Sequence, residues 1–238
     1  MLLEIGRVES VFRYPVKSMT GEALESANLG WHGIEGDRRL ALRRTDDRGG
    51  FPWLSASQLP DLILFAPQPS GEGLPTHVRT PAGDECPVFG EELAAEIARR
   101  YGRPVQMTHF KHGIFDEGDI SVIAMETINE IGRLAGFNLD VRRFRPNISV
   151  RLLQPVPFAE DQWVGGSLCF GEGDDAPAIA VTQRDVRCSM LNLDPDSARP
   201  SPEVLKAVVR VNQNHAGVYG SVTRVGRVAA GQSVFLRR

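Results

Sequence analysis

The sequence predicts a β-rich α+β fold, barrel-like, with about three helices. Three observations carry this expectation. Short runs that alternate apolar and polar residues, or stay apolar for a few positions, recur along the chain. Three segments place apolar residues at helical spacing. Pro and Gly punctuate the stretches between them. Many strands with few helices favour a barrel over the strand–helix alternation of a doubly wound parallel sheet.

Residues 7–14 partly alternate and predict a strand that stops at Pro15. Residues 39–43 alternate cleanly and predict a strand with one wet face. The apolar run 61–66, following Pro60, predicts a buried strand, and the Pro- and Gly-rich stretch 67–87 predicts turns joining short strands. Residues 90–102 predict a helix: Leu93, Ile97 and Tyr101 fall on one face, Glu91 and Glu92 open it, Arg99 and Arg100 close it, and Gly102 supplies a C-cap. Residues 125–136 repeat the pattern through Ile128, Ile131 and Leu134. Residues 202–212 repeat it through Leu205, Val208 and Val209, with Pro202 at the first turn. Further strands are expected at 119–124, Ile148–Leu152, Ser167–Phe170, 178–181 and 217–223, followed by a hairpin over 225–236 with Gly231 near its turn. A domain boundary is expected near 110–116, and the sequence shows no internal repeat.

Composition narrows the function class. The 238 residues are 42% hydrophobic and 24% charged, which excludes bulk disorder, collagen-like repeats and a coiled coil. Lys and Arg number 27 against 30 Asp and Glu, a net charge of −3, unlike the basic footprint of a nucleic-acid binder. The sequence has no apolar run of the ~18 residues a membrane helix needs, and the first residues lack the pattern of a signal peptide, so neither membrane nor export is expected. Cys86, Cys169 and Cys188 are odd in number and form no CxxC, which points to a reducing, cytoplasmic setting.

Four segments offer chemistry. Lys17-Ser18, just past a strand end, pairs a cation with a hydroxyl and suits a phosphate; an exposed loop lysine is the plain alternative. In the stretch 32–39, Gly33 and Gly36 allow backbone close to a ligand, and Arg38 or Arg39 suits a bidentate anion clamp, although such loops are common turns. In 143–147, Arg145 and Asn147 flank Pro146 and suit a phosphate or the polar edge of a pterin-like ring, or else form a surface arginine cluster. Cys188 follows Arg187, with Arg184 close by; cationic neighbours favour the thiolate, the form that attacks or binds metal, whereas an inert buried thiol is the alternative. Core packing is expected for Cys86 and Cys169. His109 and His112 lie three apart with no third ligand evident nearby, and GxGxxG, P-loop, GxSxG and HExxH motifs do not occur.

Taken in order, these segments resemble the MOSC family, the domain named for the C-terminal part of molybdenum cofactor sulfurase. The resemblance is closest to the two-part branch, in which an N-terminal MOSC-type β-barrel precedes the MOSC domain; the mitochondrial amidoxime reducing component and its bacterial relatives belong there. Its markers are YPVKS at 14–18, GDR at 36–38, FRPN at 144–147, PFAEDQW at 157–163, RC at 187–188 and DPD at 194–196. The resemblance implies a MOSC-type β-barrel with an N-terminal β-barrel-like subdomain, divided into domains 1–112 and 113–238. It implies a molybdenum cofactor (Mo-molybdopterin), a pterin dithiolene with a terminal phosphate. Cys188 stands at the Mo ligand; Lys17, Ser18 and Arg38 match residues that hold the cofactor; Arg145 and Asn147 match the pocket-lining FRPN segment, with Arg187 beside the cysteine. Asp116 stands where the family has a pocket acid, so Cys188 and Asp116 are the implied catalytic pair.

The sequence departs from relatives in two places. Ser55-Ala56-Ser57 stands where a Thr-Ala-Arg run is common, and Leu191-Asn192 with 195–198 replaces a threonine pair and PxTG. The implied function is a molybdenum-dependent oxidoreductase reducing N-hydroxylated or related oxygenated small molecules. Electrons would come from a separate donor of ferredoxin or cytochrome type, since no cysteine cluster follows residue 188. The alternatives are a sulfur carrier, with a Cys188 persulfide fed by a sulfur donor, and a non-catalytic cofactor-binding module. Pyridoxal phosphate is a family-level association without residues here to hold it.

Overall fold

The opening alternating segment forms a long strand, β1 (Leu2–Arg13), with Val8 and Val11 buried. The computed structural model describes residues 2–238 apart from Ser70, Glu72 and Asp116. In chain order there follow β2 (Glu22–Leu24), β3 (Ser26–Gly30), β4 (Gly33–Ile34), β5 (Leu40–Arg44), β6 (Ala66–Pro67), β7 (His77–Arg79), β8 (Glu85–Pro87), α1 (Glu91–Tyr101) and β9 (Val105–His109). The second half holds β10 (Ile120–Ala124), α2 (Met125–Ala135), β11 (Ile148–Leu152), β12 (Ser167–Phe170), β13 (Ala178–Val186), α3 (Glu203–Asn212), β14 (His215–Arg224), β15 (Gly226–Ala229) and β16 (Ser233–Arg237).

Among the described residues, seven strands close into a barrel in the order β11-β10-β14-β13-β12-β16-β1, the ring completed by pairing of β1 with β11. β10 and β11 run parallel, and α2 makes the crossover that parallel pairing demands. β1 shifts register between Glu4 and Gly6 and again between Val8 and Ser10, so it bends enough to serve two neighbours. Gly6 permits that bend, because a Cβ there would sit 2.3 Å from the Arg151 carbonyl oxygen.

Among the described residues, three large apolar clusters organise the molecule. One fills the barrel and includes Val11, Val122, Ile148, Phe170 and Val234. A second joins β5, α1 and β9 through Leu42, Leu93, Ile97 and Val105, and takes in Leu193 from the far half of the chain. The third packs α2 on α3 through Ile128, Ile131, Val204 and Val208, with Phe144 and Leu191. Met190, Leu191 and Leu193 therefore anchor the segment after Cys188 in two cores at once. α1 and α2 end at Gly102 (φ 82°) and Gly136 (φ 91°) in the left-handed conformation, as their C-cap glycines imply. Among the described residues no helix is long and apolar enough to cross a membrane.

Three local expectations change. The apolar run 61–66 is not a strand: Pro60–Leu64 winds into a 3₁₀ turn that buries Leu62 and Ile63, since a short apolar run suits a buried turn as well as a buried strand. The first three residues of β5 are all buried, Ala41 on the expected wet face included, and the segments carrying Val16 and Leu54 hydrogen-bond along the strand's edge. Residues 225–236 make no hairpin: β15 pairs with β3, β16 pairs with β1 and β12, and the turn at Gly231 (φ 82°) carries the chain between sheets.

Candidate functional site

A cleft of about 330 Å³ brings together six of the residues singled out in the sequence: Lys17, Ser18, Arg38, Arg145, Arg187 and Cys188. They come from loops separated by up to 170 residues of chain, and the barrel's strand ends deliver them. β1 ends at Arg13, and the turn after it lies against β5 through Lys17 N–H to the Leu40 carbonyl (2.8 Å) and Leu40 N–H to the Pro15 carbonyl (3.0 Å). Ser18 (φ 65°), Arg38 (φ 48°) and Arg145 (φ 50°) all hold left-handed backbone without being glycine. Such strain costs about 1–3 kcal/mol per residue and gathers at functional sites. Asn147 stands behind the wall, and Asp116 lies outside the described residues.

Asp37, 1% exposed, is the hub that orders the cationic side. It accepts Tyr14 N–H (2.6 Å) and Asn147 Nδ2–H (3.0 Å) and forms an ion pair with Arg38. Asn147, equally buried, accepts Ser121 N–H at 3.1 Å. The FRPN segment, β1 and β10 are thereby fastened together. Arg38 donates to the Arg145 carbonyl (3.2 Å), and Arg145 donates to the Met19 carbonyl (2.8 Å). Both guanidinium groups lie against the Tyr14 ring, 5.1 and 4.3 Å from its centroid. Burial pushes the Tyr14 hydroxyl well above its ordinary pKa, so it stays neutral. Burial opposes the Arg38 charge as well, but Asp37 beside it outweighs that and keeps the guanidinium protonated.

Cys188 is exposed and caps a 3₁₀ turn, Ser189–Asn192, directly after β13. Arg187 pairs with the buried Asp185 and donates to the Phe144 carbonyl (2.6 Å), while its buried Nε has no partner among the described residues. Burial raises the Asp185 carboxyl, and Arg187 with Ser121 works against that rise. The DPD string holds the cleft's Arg143 from outside: Asp194 pairs with Arg143 (3.0 Å), Asp196 pairs with Arg142 (2.8 Å), and Arg143 donates to the Asn192 carbonyl (2.8 Å). At the rim, Ser189 Oγ lies 3.4 Å from Ser57 Oγ, and the half-exposed Phe51 ring stands 5.7 Å from Lys17 Nζ.

Arg39, weighed beside Arg38 as a clamp, lines a separate groove instead. Cys169 is buried, and Cys86 sits partly exposed at the edge of the N-terminal core. Sequence reasoning passed over Asp37, although it stands inside the GDR string, and over Tyr14, the first letter of YPVKS. Phe51 and Tyr219 also line the cleft, and nothing local in the sequence marked them; Asp185 opens the segment that carries Cys188, and its support of Arg187 was not read from it. Among the described residues no three His, Cys, Asp or Glu side chains are placed to hold a metal by themselves.

The chain matches the family model of the MOSC domain over residues 108–235 and that of the MOSC N-terminal beta barrel domain over residues 5–125, each more than half its length. The chain belongs to the MOSC family. This MOSC chain has the fold of the YUAD protein from Bacillus subtilis, at 15% identity and TM-score 0.55, with 99% of this chain and 97% of that one covered. YiiM from Geobacillus stearothermophilus is 18% identical over 51% of this chain and 55% of that one, with a TM-score of 0.39. No curated protein matches the MOSC chain in sequence. The family is associated with molybdenum cofactor binding.

Proposed function

We propose that this MOSC chain is a molybdenum-cofactor oxidoreductase that reduces N-hydroxylated or related oxygen-bearing small molecules, with Cys188 as the protein's ligand to the metal. The observation that carries this reading is the meeting of one exposed thiol with Lys17, Ser18, Arg38, Arg145 and Arg187 around a single cleft.

The residues fit the group. A volume of about 330 Å³ lies within the ordinary range of small-molecule sites. The cationic wall suits a terminal phosphate, and the unpartnered, buried Arg187 Nε is a donor facing no protein acceptor. Among the described residues of the wall, Cys188 is the one thiol, with the Met190 thioether beside it. When bound, the cofactor supplies the change of oxidation state and the exchangeable oxygen position.

The chain's own residues grip and orient. Lys17, Ser18 and Arg38 hold the phosphate by charge and hydrogen bond. Arg145 and Arg187 offer N–H groups to the pterin edge. Asn147 acts from behind, keeping the FRPN loop against β1 and β10. Cys188 releases its thiol proton on ligation. The family resemblance adds Asp116 as the pocket acid. Phe51 and Val186, both exposed at the mouth, give the substrate an apolar entry, and Ser57 leaves that entry without the arginine common in relatives.

The exposed thiol beside Arg187 also favours a second reading, in which Cys188 carries sulfur as a persulfide. Protein from a host that makes the cofactor separates the two. Pterin released by acid oxidation and read by fluorescence should fall at least about tenfold in Lys17→Ala/Arg145→Ala, with circular dichroism unchanged, if each contact contributes a charge-assisted bond. Unchanged pterin in that variant contradicts the assignment, and sulfane sulfur on Cys188 without pterin supports the carrier.

A further inference from the structure

Behind the wall that carries Arg38 lies a second, open groove of about 560 Å³. The wall is thin. Arg38 lines the cleft and the next residue, Arg39, lines the groove; Ile114 N–H donates to the Arg38 carbonyl and Phe110 N–H to the Arg39 carbonyl, both at 2.8 Å. The groove combines an exposed aromatic ring with cations. Trp31 is 62% exposed there, an unusual placement for the largest side chain. Arg39, Lys111 and Arg227 line the same groove and have no carboxylate partner among the described residues. In the cleft, by contrast, Arg38, Arg143 and Arg187 are each ion-paired. The His32 and His112 rings lie against each other, centroids 4.1 Å apart and planes tilted by 51°. Burial, His32, Lys111 and Arg39 together lower the proton affinity of His112. Among the described residues of the lining Glu35 is the one acidic side chain, and Asn28 holds it at 3.4 Å.

We propose that this groove docks an acidic protein surface, that of the one-electron carrier on which the proposed reductase draws. An exposed Trp among arginines is the composition of an interface centre, in which the aromatic ring anchors and the cations orient. A cluster of unpaired positive charge on a chain of net charge −3 steers an acidic partner to this face. Docking there sets the carrier one loop away from the cleft. The carrier's role rests on the oxidoreductase reading, whereas the charge recognition stands without it.

The test mixes the full chain with an acidic plant-type ferredoxin, and with basic cytochrome c as the opposite-charge control, and follows binding by calorimetry. Ferredoxin should bind, and binding should weaken at least about tenfold as ionic strength rises from about 0.05 to about 0.3 M, as screening of exposed charges demands. Arg39→Glu/Lys111→Glu/Arg227→Glu should weaken it at least as much, and the exposed single variant Lys111→Glu should weaken it measurably. Trp31→Ala should lower affinity while leaving the salt dependence in place. Absence of ferredoxin binding, equal binding of cytochrome c, or wild-type affinity in the charge-reversed variants overturns the proposal. So does binding of inorganic polyphosphate in place of ferredoxin. Pterin content measured on the same variants keeps the two readings apart. Intact ferredoxin binding by a chain without pterin sinks only the reductase, and wild-type pterin with lost binding in the charge-reversed variants is what the docking site requires.

Discussion

Asn214 and Arg187 hold each other by two hydrogen bonds of 2.9 Å, Arg187 N–H to the Asn214 carbonyl and Asn214 Nδ2–H to the Arg187 carbonyl. The pair fixes the backbone one residue before Cys188. Asn214 can do so because it and Gln213 both adopt left-handed backbone, φ 68° and 55°, at the end of α3. Asn is among the few residues that tolerate that conformation.

Removing the amide should therefore loosen the cysteine turn. Asn214→Ala loses one hydrogen bond and keeps the strained φ, so denaturant unfolding should show a loss of about 1–2 kcal/mol. Alkylation of Cys188 should accelerate while that of Cys86 does not. Equal acceleration at both cysteines would mean global loosening instead.

Asp37 is a sharper test of how the cleft is built. Asp37→Ala strands the Arg38 guanidinium and leaves Tyr14 N–H and Asn147 Nδ2 without their acceptor. A broken buried pair costs about 3–5 kcal/mol, which should appear as a large drop in the thermal midpoint. Asp37→Asn keeps an acceptor oxygen and should cost less. A neutral Asp37→Ala would contradict the role of Asp37 as hub.

Glu160 sets a pH dependence. It is fully buried and accepts Thr127 Oγ1–H at 2.8 Å and Ala124 N–H at 3.4 Å, at the start of α2. Burial pushes its carboxyl up from 4.5 to about 7. Below the unfolded value both states are protonated and the group's contribution is fully present. As pH rises above 4.5 the unfolded chain ionises first, and that contribution is lost progressively until the folded carboxyl ionises at about 7, on the order of 3 kcal/mol in all. The stability difference between wild type and Glu160→Gln, followed by urea unfolding from pH 4 to 8, should shift against the wild type across that window. A flat difference would contradict it.

Much of this molecule is written locally. The C-cap glycines Gly102 and Gly136 and the charge order of α1 mark helix ends, because capping acts within one turn. The six cleft residues were legible because each lies in a short string with its own chemistry. Pairing partners were not: β15 and β16 read as a hairpin since adjacency in sequence is the default, and the barrel's closure assigns each to a different sheet. Pro60–Leu64 shows the same limit, an apolar run whose shape is set by the core that receives it. Asp37 and Asn214 escaped notice because their work is to satisfy backbone groups more than 20 residues away, or across two loops, which no local pattern records.

The central claim is that Cys188 meets a metal in a cationic cleft. Molybdenum content per chain, measured by elemental analysis of protein from a cofactor-producing host, addresses it most directly. Near-stoichiometric molybdenum in the wild type that disappears in Cys188→Ser, with the fold intact by circular dichroism, is the expected result. Molybdenum retained in Cys188→Ser, or absent from a wild type purified alongside a molybdenum-loaded control enzyme, would contradict it.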